Sequence, residues 1–252
     1  MRTLKLTLAY DGTGLVGWQR QAEGISIQGL LEDALAPIEH APVAVHGAGR
    51  TDAGVHALGQ VASVVLHASH PAAVLQRALN AVLPPAVRVL DVVDAPPDFH
   101  ARFSALAKTY EYRIVNAPFV SPFLHRYVWH VPGSLDVDAM RAAASALAGT
   151  HDFAAFQAAG SVVSRTTRTI HRIDLDAGGR AGRPLAIRIG GDGFLRHMVR
   201  NIVGTLVEMG AGRRGPERMA AILASRDRAR AGSTAPAQGL YLVEVRYAAR
   251  GG

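Results

Sequence analysis

The residues best suited to chemistry lie in one loop, GAGRTDAGVH at 47–56. It sets a carboxylate, Asp52, two residues after a guanidinium, Arg50, with Thr51 between them and His46 and His56 at its flanks. A carboxylate beside a cation is a base or a nucleophile kept ionised, since the cation lowers its pKa by roughly 1 to 3 units. No second carboxylate stands in the segment to share the work. The competing reading is a tight connection in which Gly47, Gly49 and Gly54 serve backbone turns and Asp52 caps them. Two features weigh against it. The loop joins two apolar strands, where hairpins need far fewer residues, and it gathers Arg, Thr, Asp and two His in one place, as functional loops do.

Positioning that loop falls to the elements around it. Period-2 alternation of Leu4, Leu6, Leu8 and Tyr10 predicts a strand over 3–10. A polar, Gly-rich loop follows at 11–25, then a helix over about 26–38 with Ser26 as its cap and Leu30, Leu31, Ala34, Leu35 and Ile38 on one face. Strands are expected at 42–46 and 59–67 on either side of the loop. A helix opens near Pro71 and stops before Pro84 and Pro85, which cannot continue it, and a strand follows at 87–93. The stretch 99–116, FHARFSALAKTYEYRIVN, reads as extended, with Tyr110, Tyr112 and Ile114 alternating.

The second half repeats this order. A Pro-rich loop at 117–126 precedes a short strand, YVWHV, and a helix over about 136–148 begun by Asp136. Strands are expected at about 168–177 and 185–190, a helix from Phe194 to about Met209, a short helix at 215–224, and a last strand at 239–247. The helix from Phe194 places Leu195, Met198, Val199, Ile202, Val203 and Leu206 on one stripe, with Arg196, Arg200, Asn201 and Glu208 on the other face. The repeat predicts an α+β protein of two similar βαββαβ-like subdomains, residues 1–105 and 106–252. Their strands would form a mixed, mainly antiparallel sheet with a central cleft as the binding site.

Charge is distributed unevenly over this plan. The 252 residues carry 27 basic and 20 acidic side chains, a net of +7, yet residues 1–105 hold 7 basic and 9 acidic. The excess therefore lies in the second half, nearly all of it arginine, which forks onto phosphates and stacks on bases. Such a basic face points to nucleic acid. The chain has no cysteine, which excludes disulfides, zinc-thiolate sites and thiol catalysis. No apolar run approaches the roughly 18 to 20 residues needed to cross a bilayer. The N-terminus alternates as a strand does, without the apolar core of a signal peptide.

Several motifs fall away. Gly12, Gly14 and Gly17 match G-x-G-x-x-G, but no apolar helical pattern follows the third Gly, as a dinucleotide site requires. That stretch reads instead as a flexible loop carrying Trp18, Gln19 and Arg20 to a cleft. Signatures of a P-loop, a nucleophile elbow and a zincin are missing. His46, Asp52 and His56 match no common metal-ligand spacing, so no metal is expected. Asp174 and Asp176 share a strand face that reads as solvated.

In order along nearly the whole chain, YDGTGLVGWQRQ (10–21), GAGRTDAGVHALGQV (47–61), DFHARFSA (98–105), HDFAAF (151–156), FLRHMVRNIVGT (194–205) and APAQGLYLVEV (235–245) resemble segments of the tRNA pseudouridine synthase A family. The resemblance implies the pseudouridine synthase fold and a cofactor-free isomerisation. The N1–C1′ bond of uridine breaks, the uracil turns, and C5 joins C1′. A glycosidase needs two carboxylates. Here the uracil leaves as a resonance-stabilised anion and never departs, so one carboxylate suffices.

By the same resemblance Asp52 is the nucleophilic or basic carboxylate, and Arg200 is the arginine that pairs with it. Tyr110 stacks on the flipped uracil, Leu240 closes the pocket, and Arg50 contacts the RNA and helps extrude the base. Phe99, His100, Arg102, Arg165 and Arg168 match RNA-contacting stretches. Tyr110 is not separable from Tyr112 by pattern. The implied substrate is the anticodon stem-loop of tRNA at positions 38, 39 and 40, handled by a cytoplasmic homodimer with no membrane association. The rival readings are an RNA-binding module of two RRM-like halves without catalysis, and a hydrolase of an N-glycosidic bond.

Overall fold

The structure, a computed structural model, describes residues 1–161, 163–178 and 183–248. In chain order the elements are β1 (Arg2–Tyr10), α1 (Ile27–Glu39), β2 (His46–Gly47), β3 (His56–Leu66), α2 (Ala72–Val82), β4 (Val87–Ala95) and β5 (Ala107–Asn116). They continue with β6 (Trp129–Val131), α3 (Val137–Ser145), β7 (Gly149–Asp152), β8 (Thr167–Asp176), β9 (Leu185–Gly191), α4 (Met198–Gly210), α5 (Arg218–Ser225) and β10 (Leu240–Arg246). The chain is α+β and divides into two units. One comprises Met1–Leu106 and the chain from Tyr241 onward; the other is Ala107–Leu240.

In the first unit the strand order is β4, β1, β3, β10, with β2 paired to β3. β1 runs antiparallel to both β3 and β4, while β10 runs parallel to β3 through Tyr241 opposite His56 and Leu242 opposite Ala57. The alternation read from β1 buries Leu4, Leu6, Leu8 and Tyr10. The hydroxyl of Ser26 accepts the Gly29 N–H at 3.1 Å and so starts α1, which turns Ile27, Leu31 and Leu35 inward.

The second unit is ordered β5, β9, β8, β7 by antiparallel ladders, with β6 parallel to β5. The carboxylate of Asp136 accepts the N–H groups of Asp138 and Ala139 and caps α3. Helix α4 lies at the centre of this unit's packing, with Met198, Ile202, Val203 and Leu206 sealed from solvent. Among the described residues no helix is long and apolar enough to cross a membrane.

Four expectations are corrected. The strand expected at 42–46 shrinks to His46–Gly47, because Val45 spends its backbone on α1: its N–H reaches Glu32 Oε1 at 3.3 Å and its carbonyl accepts from Gln28 Nε2 at 3.2 Å. The segment 99–106 is not extended but turns, with Ser104 N–H bonded to the His100 carbonyl at 2.9 Å. Helix α4 begins at Met198 and not at Phe194, since His197 takes a left-handed φ of 62°. That conformation costs a non-glycine residue about 1–2 kcal/mol. Finally, the last strand, assigned by order to the second subdomain, joins the first unit through its parallel pairing with β3. β7 has no counterpart among the expected strands.

Candidate active site

Asp52 stands half-buried at the tip of the loop between β2 and β3. The loop before α1 grips its backbone. A Cβ on Gly12 would lie 2.2 Å from the Val55 carbonyl oxygen, and one on Gly17 would lie 2.5 Å from the Thr51 oxygen and 2.9 Å from the Asp52 carbonyl carbon. Only glycine allows so close a backbone approach, and Gly17 also has φ +98°. Trp18 N–H donates to the Thr51 carbonyl at 3.0 Å, and its indole lies flush on Gly47. The expected flexible loop is therefore a clamp: Trp18 is buried, and Arg20 is engaged by Glu32 at 2.8 Å and Asp33 at 2.6 Å.

Beneath the loop runs a buried polar chain. Tyr10 hydroxyl and Thr51 Oγ1 share a 2.8 Å hydrogen bond, and Gln60 Nε2 donates to the Tyr10 oxygen at 3.3 Å and to the Gly49 carbonyl at 2.9 Å. Burial pushes the Tyr10 phenol up to about 12, against the opposing pull of Thr51 and Gln60. The phenol thus stays protonated at neutral pH. At the far end of the loop, buried His56 accepts the Gly12 N–H on Nδ1 at 3.1 Å and stacks on Tyr241 at 4.8 Å. Both ends of the segment carrying Asp52 are thereby fixed. Arg50 is exposed on the same loop.

In the second unit the residues singled out on sequence divide by role. Arg200, on α4, donates from Nε to the Ala235 carbonyl at 2.7 Å, and Ala235 N–H returns to the Arg200 carbonyl at 3.1 Å. The next carbonyl, of Pro236, accepts the Tyr112 hydroxyl at 2.7 Å, and Gly239 packs on the Tyr112 ring. Tyr112 is thus committed to the core, its phenol pushed up by burial, with the Arg200 charge opposing. Tyr110, two residues away on the same strand face, meets Phe194 edge-on at 5.1 Å. Leu240 is buried directly after this clasp.

The polar face of α4 is not a solvent face. Asn201 is fully buried, donating to the Phe156 carbonyl at 2.8 Å and accepting from Arg228 at 3.1 Å and Thr234 at 2.7 Å. Glu208 takes the Ser233 N–H at 2.8 Å. These side chains hold the segment 228–235 that in turn holds Arg200. Arg165 is exposed, and Arg168 donates to the Arg165 carbonyl at 3.0 Å.

In the first unit the turn after β4 carries His100 and Arg102, whereas Phe99 is half-buried against Tyr247 at 5.1 Å. Sequence reading passed over Phe103, which stands exposed on that turn. Its signal lay within FHARF, where it shares a short aromatic and basic run with His100 and Arg102.

A chain with this fold and a single clamped carboxylate has clear relatives. The family described as tRNA pseudouridine synthase matches it over residues 7–104 and 143–248. A tRNA pseudouridine synthase A of Syntrophotalea carbinolica is 47% identical over 98% of this chain and 97% of its own length. One of Geotalea uraniireducens is 45% identical over 98% of this chain and all of its own length. One of Solidesulfovibrio magneticus is 48% identical over the whole of this chain and 93% of its own length. The chain belongs to the tRNA pseudouridine synthase family.

Proposed function

We propose that this protein is an isomerase that converts uridine to pseudouridine in tRNA, at positions 38, 39 and 40 of the anticodon stem-loop, with Asp52 as the nucleophile. The observation that carries this reading is the clamp on the 51–55 backbone, which presents one carboxylate at a fixed place with no partner acid in its loop. Preorganisation of that kind serves a reaction in which a single group attacks and is later released.

The atoms balance without a cofactor. The N1–C1′ bond breaks with its electron pair going to uracil, whose carbonyls spread the charge. C5 then bonds to C1′, the C5 proton passes to solvent and N1 gains one. By the resemblance to the family, Arg200 is the arginine assigned as the partner of Asp52. Tyr110 provides the ring on which the extruded uracil stacks, worth about 1–3 kcal/mol, and Leu240 closes the pocket. Arg50 contacts the RNA and favours base extrusion, His100 contacts the RNA, and Arg102, Arg165 and Arg168 reach the backbone phosphates. The relatives' shared name supports a tRNA substrate, and with it a cytoplasmic location. Their family's habit supports a homodimer, which sedimentation would reveal as twice the chain mass.

Tritium release from tRNA labelled at uracil C5 tests the reading. Wild-type protein should release tritium and form pseudouridine at the three positions, whereas Asp52→Asn should retain tRNA binding and release none. Full turnover by that variant would remove Asp52 from the mechanism. Free uracil as product would turn the reading to a hydrolase.

A further inference from the structure

Phe103 is 77% exposed, yet it sits on a fixed turn. His100 N–H donates to Ser104 Oγ at 3.1 Å, and His100 Nδ1 accepts the Arg102 N–H at 3.1 Å. Ala101, between them, donates to Ser63 Oγ at 3.0 Å, and its carbonyl accepts the Tyr247 hydroxyl at 2.7 Å. These bonds fix the backbone of the turn, which holds an apolar ring out in water.

The ring has company. His100 lies 4.4 Å from it, His46 stacks on His100 at 5.0 Å, and the Arg102 guanidinium sits 5.7 Å from the phenyl centroid. Burial, and then repulsion from His46, holds the His100 imidazole below its ordinary pKa, so it presents a neutral flat face. A row of flat rings with one guanidinium beside it matches the chemistry of a nucleobase and its phosphate. A protein partner is a poorer fit, because one phenyl is far below the ~800 Å² a stable interface covers on each side. Phe99, turned against Tyr247, leaves Phe103 as the ring offered to solvent.

We propose that Phe103, with His100, His46 and Arg102, forms a second stacking site for an unpaired base of the RNA substrate, separate from the ring assigned to the reacting uracil. It rests on the reading of this protein as an RNA-binding enzyme. The site would hold a base outside the one being isomerised, which suits a stem-loop with several unpaired nucleotides.

Binding titrations with the full chain test it, using an anticodon stem-loop, a single-stranded oligouridylate, and a fully paired RNA duplex of equal charge. Phe103→Ala should weaken binding of the first two roughly tenfold, leave duplex binding unchanged, and keep the salt dependence, since no phosphate contact is lost. Phe103→Trp should restore affinity, and its fluorescence should be quenched by oligouridylate. Arg102→Ala should instead lower the salt slope for all three RNAs. Equal affinity of wild type and Phe103→Ala for the stem-loop would overturn the proposal. So would an equal loss on duplex, concentration-dependent self-association that Phe103→Ala abolishes, or failure of the wild type to bind any RNA. Phe103-dependent binding of oligouridylate without pseudouridine formation would uphold the stacking site while removing the isomerase reading.

Discussion

In the first unit Asp52 is placed by backbone pressed against backbone: Gly12 and Gly17 abut residues 51–55, and a buried run of neutral polar groups, Tyr10, Thr51 and Gln60, supports the loop from below. In the second unit Arg200 is placed by side chains reaching carbonyls, through Ala235, with Asn201, Arg228 and Glu208 holding the same segment. The charge follows this division. The second unit carries 18 basic and 10 acidic residues, a net of +8, and the first a net of −1. The place of the carboxylate thus follows from the shape of the loop that carries it. An arginine has five donors, and the bond from Nε to the Ala235 carbonyl uses one of them as an anchor.

That contrast predicts different modes of failure. The largest effect belongs to the shape-based unit. Gly17→Ala drives a methyl into the Thr51 oxygen at 2.5 Å and loads a φ of +98° with a side chain. We expect about 3 kcal/mol lost in urea denaturation and at least about a hundredfold loss of pseudouridine formation through displacement of Asp52. Gly14→Ala is the control. Its φ is also positive, at +74°, but nothing lies within 4 Å of the added carbon, so about 1 kcal/mol should be lost with activity kept. Equal damage from both would show that glycine flexibility, and not close approach, is what the loop needs.

Next comes the hydrogen-bonded unit. Arg200→Ala strands the Ala235 carbonyl and should cost about 1–3 kcal/mol, with a fall of about hundredfold in turnover if the charge acts on Asp52. Arg200→Lys keeps the charge but not the Nε fork. It should recover part of the turnover while the melting temperature stays low, which separates the anchor from the cation.

The smallest effect is a pH signature. Glu111 is buried, and burial raises its pKa, but Arg113 at 2.7 Å and Arg188 at 2.6 Å outweigh it and hold it below the ordinary carboxylate value. A carboxyl lowered in the folded state stabilises fully above its unfolded pKa, and that contribution disappears as pH falls through the folded value. Glu111→Gln should therefore cost about 1 kcal/mol at pH 7, a modest figure because both arginines reach solvent, and should flatten the loss of stability between pH 5 and 3. An unchanged acid profile would show that these two ion pairs contribute nothing to the second unit.

Much of the fold was legible because local physics wrote it. Ser26 and Asp136 cap their helices as their hydroxyl and carboxylate dictate, the β1 alternation fixed its buried face, and Pro84 with Pro85 ended α2. Other features were hidden because their causes are distant in sequence. Val45 leaves the strand pattern only because Gln28 and Glu32 of α1 claim its backbone. Asn201 and Glu208 read only as the face of the helix opposite its apolar stripe, and the chain some thirty residues on is laid across them. Trp18 read as part of a flexible loop at a cleft because nothing local shows that Gly47 offers a flat seat for an indole.

The sequence alone determined which residue types are present for chemistry: one acid in a glycine-rich loop, an arginine on an apolar helix, tyrosines alternating on a strand, and positive charge gathered in the second half. Only the tertiary structure decided that the Tyr112 hydroxyl bonds the Pro236 carbonyl, that the loop before α1 is a clamp, and that the last strand returns to pair with β3. Those outcomes depend on close approach and on hydrogen bonds between segments far apart in the chain, and such distances exist only once the backbone has closed on itself.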